Sequence, residues 1–193
     1  MESVKKAIGI LSILALLSAG CVPELKKPEP SKSGPWKIGT YVEVEDVPHG
    51  FEIQNQNDSL ASDNLFYTAW TSGKQQSIII GNKETDYYDA QLYMLVQEAD
   101  SAESSENNMA NLLTRAESTY EISDEEKKTY NGRTWKVLTY TYKSEDTPYA
   151  HGISALTAAE HATVLVELSM TDAFAEDGSE ALAYVLDRCK VEE

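Results

Sequence analysis

Cys21 stands where an apolar segment ends and a polar, proline-containing segment begins. Two lysines at positions 5 and 6 precede an apolar run from Ala7 to Leu17, and the small residues Ser18-Ala19-Gly20 lead directly into the cysteine. This order is typical of a secretory signal. The apolar run is too short for a transmembrane helix, which needs roughly 20 residues. The pattern therefore predicts that residues 1–20 are a signal peptide and that the Cys21 thiol is a site of covalent chemistry.

The motif Leu17-Ser18-Ala19-Gly20-Cys21 resembles the lipobox of bacterial lipoproteins, although its leucine stands one position further from the cysteine than usual. The resemblance implies that Cys21 is diacylglycerylated and becomes the new N-terminus. Each acyl CH₂ buried in a bilayer contributes about 0.8 kcal/mol, so two or three chains anchor a protein firmly. We expect a lipid-anchored protein on the extracytoplasmic face of the cell membrane, with the bilayer as a partner. The alternative is a plain secretory signal with an incidental cysteine.

Residues 21–35 differ in composition from the rest of the chain. They contain four of the six prolines, together with lysines and serines. Proline restricts φ and favours an extended, solvated chain. We predict that residues 21–35 form a tether and that residues 36–193 form a single globular domain of ordinary size.

The charge of the chain restricts its partners. The formal net charge is −16, from 32 acidic and 16 basic residues. Such a surface repels nucleic acid, so we expect no nucleic-acid partner. The alternative is that this net charge serves only to keep the protein soluble.

Residue patterns of known enzymes are missing from the sequence. There is no Gly-x-Ser-x-Gly elbow, no His-Glu-x-x-His pair and no glycine-rich phosphate loop. The remaining cysteine, Cys189, follows Leu182, Val185 and Leu186 at helical spacing, which favours packing over catalysis. We expect no enzyme activity and no cofactor.

Two acidic clusters are weak candidates for calcium. One is formed by Asp172, Glu176 and Asp177, and the other by Asp86 and Asp89. Neither matches the EF-hand loop. Acids before the last helix also stabilise the positive end of its dipole, which is the simpler interpretation.

Aromatic residues offer a possible protein-binding surface, because Tyr and Trp anchor many interfaces. The candidates are Trp70, Tyr88, Trp135, Tyr140 and Tyr142. The alternative is that they fill cross-strand pairs inside a sheet.

Periodicity predicts mostly strands. Hairpins are predicted at Ser72-Gly73-Lys74 and at Asn131-Gly132, and residues 55–59 are predicted to be a polar loop. Alternation over Ala162–Met170 predicts a strand with Glu167 and Ser169 facing solvent.

Helical spacing at Met109, Leu112, Leu113 and Ala116 predicts a helix capped by Ser104 or Ser105. A second helix is predicted over Glu180–Cys189, capped by Asp177 or Ser179. Asp89–Asp100 fits either a strand or a helix.

This order of elements resembles the Mog1/PsbP-like fold, on the Asn131-Gly132 turn and the terminal helix ALAYVLDRCKV. The resemblance implies an α+β fold in which helices flank an antiparallel sheet, as an α/β/α sandwich, and in which Asp89–Asp100 is a strand. It implies a binding or accessory role, with an envelope protein as a possible partner. The alternative function is the binding of a small ligand or cation.

Overall fold

The structure, a computed structural model, describes residues 32–60, 63–80, 82–144 and 146–193. The predicted signal peptide, Cys21 and the tether up to residue 31 lie outside the described residues. No helix in the described part of the chain is both long enough and apolar enough to cross a membrane.

In the described residues, twelve strands and two helices form a mixed α+β fold that is dominated by its sheet. The strands are β1 (Trp36–Ile38), β2 (Val42–Val44), β3 (Phe51–Ser59), β4 (Leu65–Ser72), β5 (Gln76–Ile80), β6 (Lys83–Tyr87), β7 (Ala90–Glu98), β8 (Tyr120–Tyr130), β9 (Arg133–Tyr142), β10 (His151–Ala158), β11 (Ala162–Met170) and β12 (Cys189–Val191). The helices are α1 (Ala102–Thr119) and α2 (Gly178–Leu186).

Seven strands form one antiparallel sheet in the order β3-β4-β7-β11-β10-β9-β8. β11 is the central strand, and all nine of its residues are buried. Both faces of the sheet are therefore covered.

One face is covered by α2 and by the small sheet β1-β2-β12. Val42 and Val44 of β2 are buried. On the same face Trp36 packs edge-on against Trp70, with ring centroids 5.5 Å apart. Burial of large apolar side chains such as these stabilises a fold by roughly 1.5–3 kcal/mol each.

The other face is covered in part by α1, whose Leu112 and Ala116 are buried against the sheet. The N-cap is Ser101, whose Oγ accepts a hydrogen bond from the Ser104 N–H at 3.2 Å, so the predicted caps Ser104 and Ser105 are wrong. Ser105 is instead buried, and its carbonyl accepts a hydrogen bond from Thr163 Oγ1 of β11 at 2.7 Å. This bond fixes the start of α1 on the central strand.

Several local predictions are confirmed. Residues 131 and 132 both have positive φ and join β8 to β9 in a two-residue hairpin. Asp177 caps α2, with its Oδ1 accepting from the backbone N–H groups of Ser179 and Glu180. The ambiguous segment is the strand β7.

Other predictions are wrong. Residues 55–59 belong to β3, whose pairing with β4 is interrupted by two bulges. Ser72-Gly73-Lys74 is not a hairpin turn, because β4 pairs with β3 and β7 whereas β5 pairs with β6. The last helix ends at Leu186, and Cys189 is a buried residue of β12.

The prediction that Glu167 and Ser169 face solvent is also wrong. Their exposed fractions are 3% and 1%. Alternation on β11 correctly separates two faces, but the second face is covered by α1 and by tyrosine rings instead of water.

Candidate binding groove

A kinked extension of the sheet, which we call the arm (residues 73–88 with β5 and β6), builds one wall of a groove. β4 and β7 pair as far as Ser72 and Ala90, and pairing resumes with Gln76 and Tyr87. Gly73 lies between these ladders with φ of +88°. Since an L side chain rarely adopts this φ, glycine lets the chain bend here.

Asp89 holds the kink in place. Its carboxylate accepts hydrogen bonds from the Lys74 backbone N–H at 2.9 Å and from Gln76 Nε2 at 3.2 Å. Its carbonyl accepts from the Thr171 N–H at 2.9 Å and from Thr171 Oγ1 at 3.1 Å. These bonds tie the base of the arm to the end of β11.

The groove between the arm and the sheet has a volume of about 620 Å³, which is within the usual range for ligand sites. Its walls come from β3, β4, β7, the arm and the loop before β10. The lining residues are Gln54, Asn55, Thr71, Gln75, Glu84, Thr85, Asp86, Tyr87, Tyr88, Gln91 and Tyr149.

Three amide side chains of the groove donate to neighbouring residues. Gln54 Nε2 donates to Thr71 Oγ1 at 3.0 Å, and Gln75 Nε2 donates to Asp86 Oδ2 at 2.9 Å. Asn55 Nδ2 donates to Asp58 Oδ2 at 2.9 Å. Each amide has a second N–H and a carbonyl oxygen besides, so each is able both to donate and to accept.

Gln91 lines the groove, but its Oε1 is buried, and no donor from the described residues reaches it. A buried polar atom without a hydrogen bond costs about 1–3 kcal/mol. Because this oxygen is closed off from solvent, a ligand in the groove would reach it only after the Gln91 side chain rearranges.

A buried acid lies beside the groove. Gln91 pairs across the sheet with Ser169, whose Oγ lies 2.6 Å from the Tyr142 hydroxyl and 3.4 Å from Glu167 Oε1. The Tyr120 hydroxyl donates to Glu167 Oε1 at 3.0 Å. Tyr142 also contacts Tyr149, a groove residue, with ring centroids 6.4 Å apart.

Burial raises the pKa of the Glu167 carboxyl above its ordinary value, and hydroxyl groups such as those of Tyr120 and Ser169 offset part of this rise. Burial followed by the Glu167 charge raises the pKa of Tyr120 and of Tyr142. No lysine, arginine or histidine of the described residues forms an ion pair with Glu167. The protonated carboxyl is the form that this environment favours.

The five predicted binding aromatics lie in different surroundings. Trp70, Trp135 and Tyr140 are at most 1% exposed, so a partner cannot reach them in the folded domain. Tyr142 is half-buried in the tyrosine cluster, and Tyr88 lines the groove. The interior positions agree with the packing alternative, and Tyr88 alone is placed on a groove wall.

The calcium candidates Asp172, Glu176 and Asp177 lie in the loop before α2. Asp177 serves as the helix cap, and Asp172 lies 3.9 Å from the His151 ring nitrogen. Within the described ranges, no group of three or more His, Cys, Asp or Glu residues has the arrangement of a metal site.

Sequence reasoning named Asp89 as a weak calcium candidate and Glu167 as a solvent-facing residue, and it did not single out Gln91. Gln91 and Glu167 are polar residues in apolar strands, which is a signal that a covered face contains a polar site. The excess of tyrosine on β8 and β9 points in the same direction.

Comparisons with known proteins find a structural neighbour but no match by sequence. No protein-family model matches the sequence, and no curated protein matches it. The structure is similar to the solution structure of cyanobacterial PsbP (CyanoP) from Synechocystis sp. PCC 6803, with a TM-score of 0.45 and 14% sequence identity. That match covers 78% of this chain and 86% of the other.

Proposed function

We propose that this chain is an extracytoplasmic lipoprotein, anchored through acylated Cys21, whose domain binds an envelope protein in the groove beside the arm. The observation that carries the proposal is the groove itself, which has a volume of about 620 Å³ and is lined by Glu84, Asp86 and tyrosine side chains. No catalytic role is assigned to any residue.

The arm supports a protein partner over a free small molecule. Ile79 is 76% exposed and is the single strongly exposed large hydrophobic residue of the described part. Ile79 pairs across the arm with Glu84, a residue of the groove wall, so its side chain lies beside the groove. Burial of this apolar surface would add to the binding of a partner that extends beyond the groove. A segment lying in the groove would bring its flanks within reach of this side chain.

The lipid anchor is supported by the sequence around Cys21, and the tether by the prolines of residues 21–35. A Mog1/PsbP-like fold is part of the proposal. Its support is the antiparallel sheet with one helix on each face, where one of the two described helices, α2, lies near the C-terminus.

A second candidate function is the binding of a small polar ligand. It is favoured by the groove volume of about 620 Å³ and by its polar lining, which includes Gln54, Gln75 and Thr71. The groove would then hold the whole ligand without a partner protein.

Site-specific photocrosslinking in native membranes tests the proposal. A photoreactive amino acid at position 79 should capture one discrete protein, whereas the same amino acid at Glu117, an exposed position on α1, should not. Capture of the same species at both positions, or at neither, would contradict partner binding at the arm. Retention of a small molecule by the purified chain, seen by native mass spectrometry without crosslinked protein, would favour the second candidate.

A further inference from the structure

We infer that the groove recognises a cationic peptide segment, one that presents lysine or arginine side chains. This inference rests on the proposed function and specifies the chemistry of the partner. It follows from the charges and the aromatic surface of the groove lining.

The charged groups of the lining are hydrogen-bond acceptors. The ionised carboxylates of Glu84 and Asp86 accept hydrogen bonds and donate none. Amide groups such as that of Gln75 both accept and donate, so they can bind either kind of ligand atom. Lysine and arginine carry donors only, so they match this lining.

The charged residues among the described lining of the groove are acidic. Glu84 and Asp86 line the arm side, and no lysine or arginine is among the described lining residues. Each carboxylate retains an oxygen beyond the one that binds its internal donor, Ser77 Oγ for Glu84 and Gln75 Nε2 for Asp86. Charge-assisted hydrogen bonds from a cation are about twice as strong as neutral ones.

The groove also suits the hydrocarbon stem of these side chains. Tyr87 and Tyr88 are half-buried on its wall and present aromatic surface. Lysine and arginine stems pack on such surfaces while the charged group reaches polar atoms, and a cation over a tyrosine ring gains further attraction. A volume of about 620 Å³ accommodates such a side chain together with part of its backbone.

Calorimetric titration with a defined probe tests the inference. The probe is a synthetic peptide of alternating lysine and serine with blocked ends, and the control is the same peptide with every lysine Nε-acetylated. The protein is the purified full chain in neutral detergent. We expect the lysine peptide to bind at least about tenfold more tightly than the acetylated peptide, with an affinity that falls as salt rises.

Matched variants separate the groove from the general acidity of the chain. The double variant Glu84→Gln and Asp86→Asn keeps both internal acceptors and removes two charges, and we expect it to weaken binding of the lysine peptide about tenfold. The control Glu117→Gln and Glu121→Gln removes two exposed charges away from the groove and should leave the affinity within about twofold.

Three results would overturn the inference: no binding of the lysine peptide, equal binding of the acetylated peptide, or equal losses in the two double variants. If position 79 still captures a protein in membranes under any of these results, partner binding at the arm stands and only the cationic chemistry is lost. If no protein is captured but the groove variants alone lose peptide binding, the groove chemistry stands without its proposed partner.

Discussion

Glu167 occupies an unusual place for an acidic residue, on the central strand of the sheet and beneath a layer of tyrosine rings. Tyr120 stacks on Tyr140 with ring centroids 3.9 Å apart and planes 10° apart, and Tyr142 meets both rings edge-on. Burying an ionised carboxylate without a cation is costly, so the folded state favours the neutral acid. The residue therefore couples folding to pH.

Glu167→Gln isolates this coupling. Burial raises the pKa of Glu167 in the folded state. The contribution of this carboxyl to the free energy of unfolding is therefore fully present below its pKa in the unfolded chain. It is lost as the pH rises through its pKa in the folded state. The free energy of unfolding of the wild type should thus fall relative to that of the variant as pH increases above about 4.5. The slope approaches about 1.4 kcal/mol per pH unit inside that window.

Urea denaturation of both proteins between pH 4 and pH 8 measures this difference. Glu121→Gln, at an exposed position on β8, is the matched control and should show no such slope. A constant difference between wild type and Glu167→Gln across the whole range would show that Glu167 does not titrate with folding.

Elements differ in how much they contribute to the core. β5 and β6 pair only with each other within the described residues, whereas every strand of the seven-stranded sheet packs on one of the two cores. The arm is therefore an appendage, held at its base by Asp89 and Thr171. Its removal should affect binding far more than stability.

Replacing Gln76–Tyr87 by Asn-Gly tests this difference. We expect the Tm to fall by less than about 4 °C, which corresponds to roughly 1 kcal/mol in a domain of this size. Crosslinking to the partner should be lost. Calorimetry measures the Tm. Capture is measured from a photoreactive amino acid at position 54, because Gln54 is an exposed residue of the groove that the deletion leaves in place.

Gly152→Ala provides the contrasting control. A Cβ at position 152 would overlap the Tyr140 ring, which lies across the glycine on the neighbouring strand. Overpacking of a core costs about 1–3 kcal/mol, so this single methyl group should lower the Tm more than removal of the arm. The reverse order would show that the arm is part of the folding core.

The whole molecule combines an acidic domain with a proposed lipid anchor. A net charge of −16 gives no attraction to anionic lipid, so membrane association would depend on the acyl chains of Cys21. Cys189 does not compete for modification, because it is 3% exposed and burial raises its pKa to about 12. A thiol with that pKa stays protonated at neutral pH.

Cys21→Ser should release the protein from the membrane fraction of the native host, whereas Cys189→Ser should not. Intact mass spectrometry of the wild type should show loss of residues 1–20 together with added diacylglycerol. Retention of residue 1, or an unmodified thiol at position 21, would contradict the lipid anchor. Release of Cys189→Ser in the same fractionation would show that membrane association depends on the fold instead.

Local patterns in the sequence were sufficient for most strands and for the hairpin and helix-cap chemistry. Asn131-Gly132 adopts the positive φ values that its turn needs, and Asp177 accepts the free N–H groups at the start of α2. These features depend on residues that are neighbours along the chain. The sequence motif at Cys21 is local in the same sense, and it remains a prediction.

Tertiary structure alone decided which faces are covered and where polar groups meet. Alternation places Glu167 and Gln91 on the face of the sheet opposite to the apolar residues of their strands. It does not show whether that face is exposed to water or covered by tyrosine rings. Whether β4 and β5 form a hairpin depends on partners far along the chain, since Asp89 and Thr171 set the kink from 82 residues apart. The groove exists because the fold brings together β3, β4, β7, the arm and the loop before β10. No single one of these segments has a sequence pattern that predicts the groove.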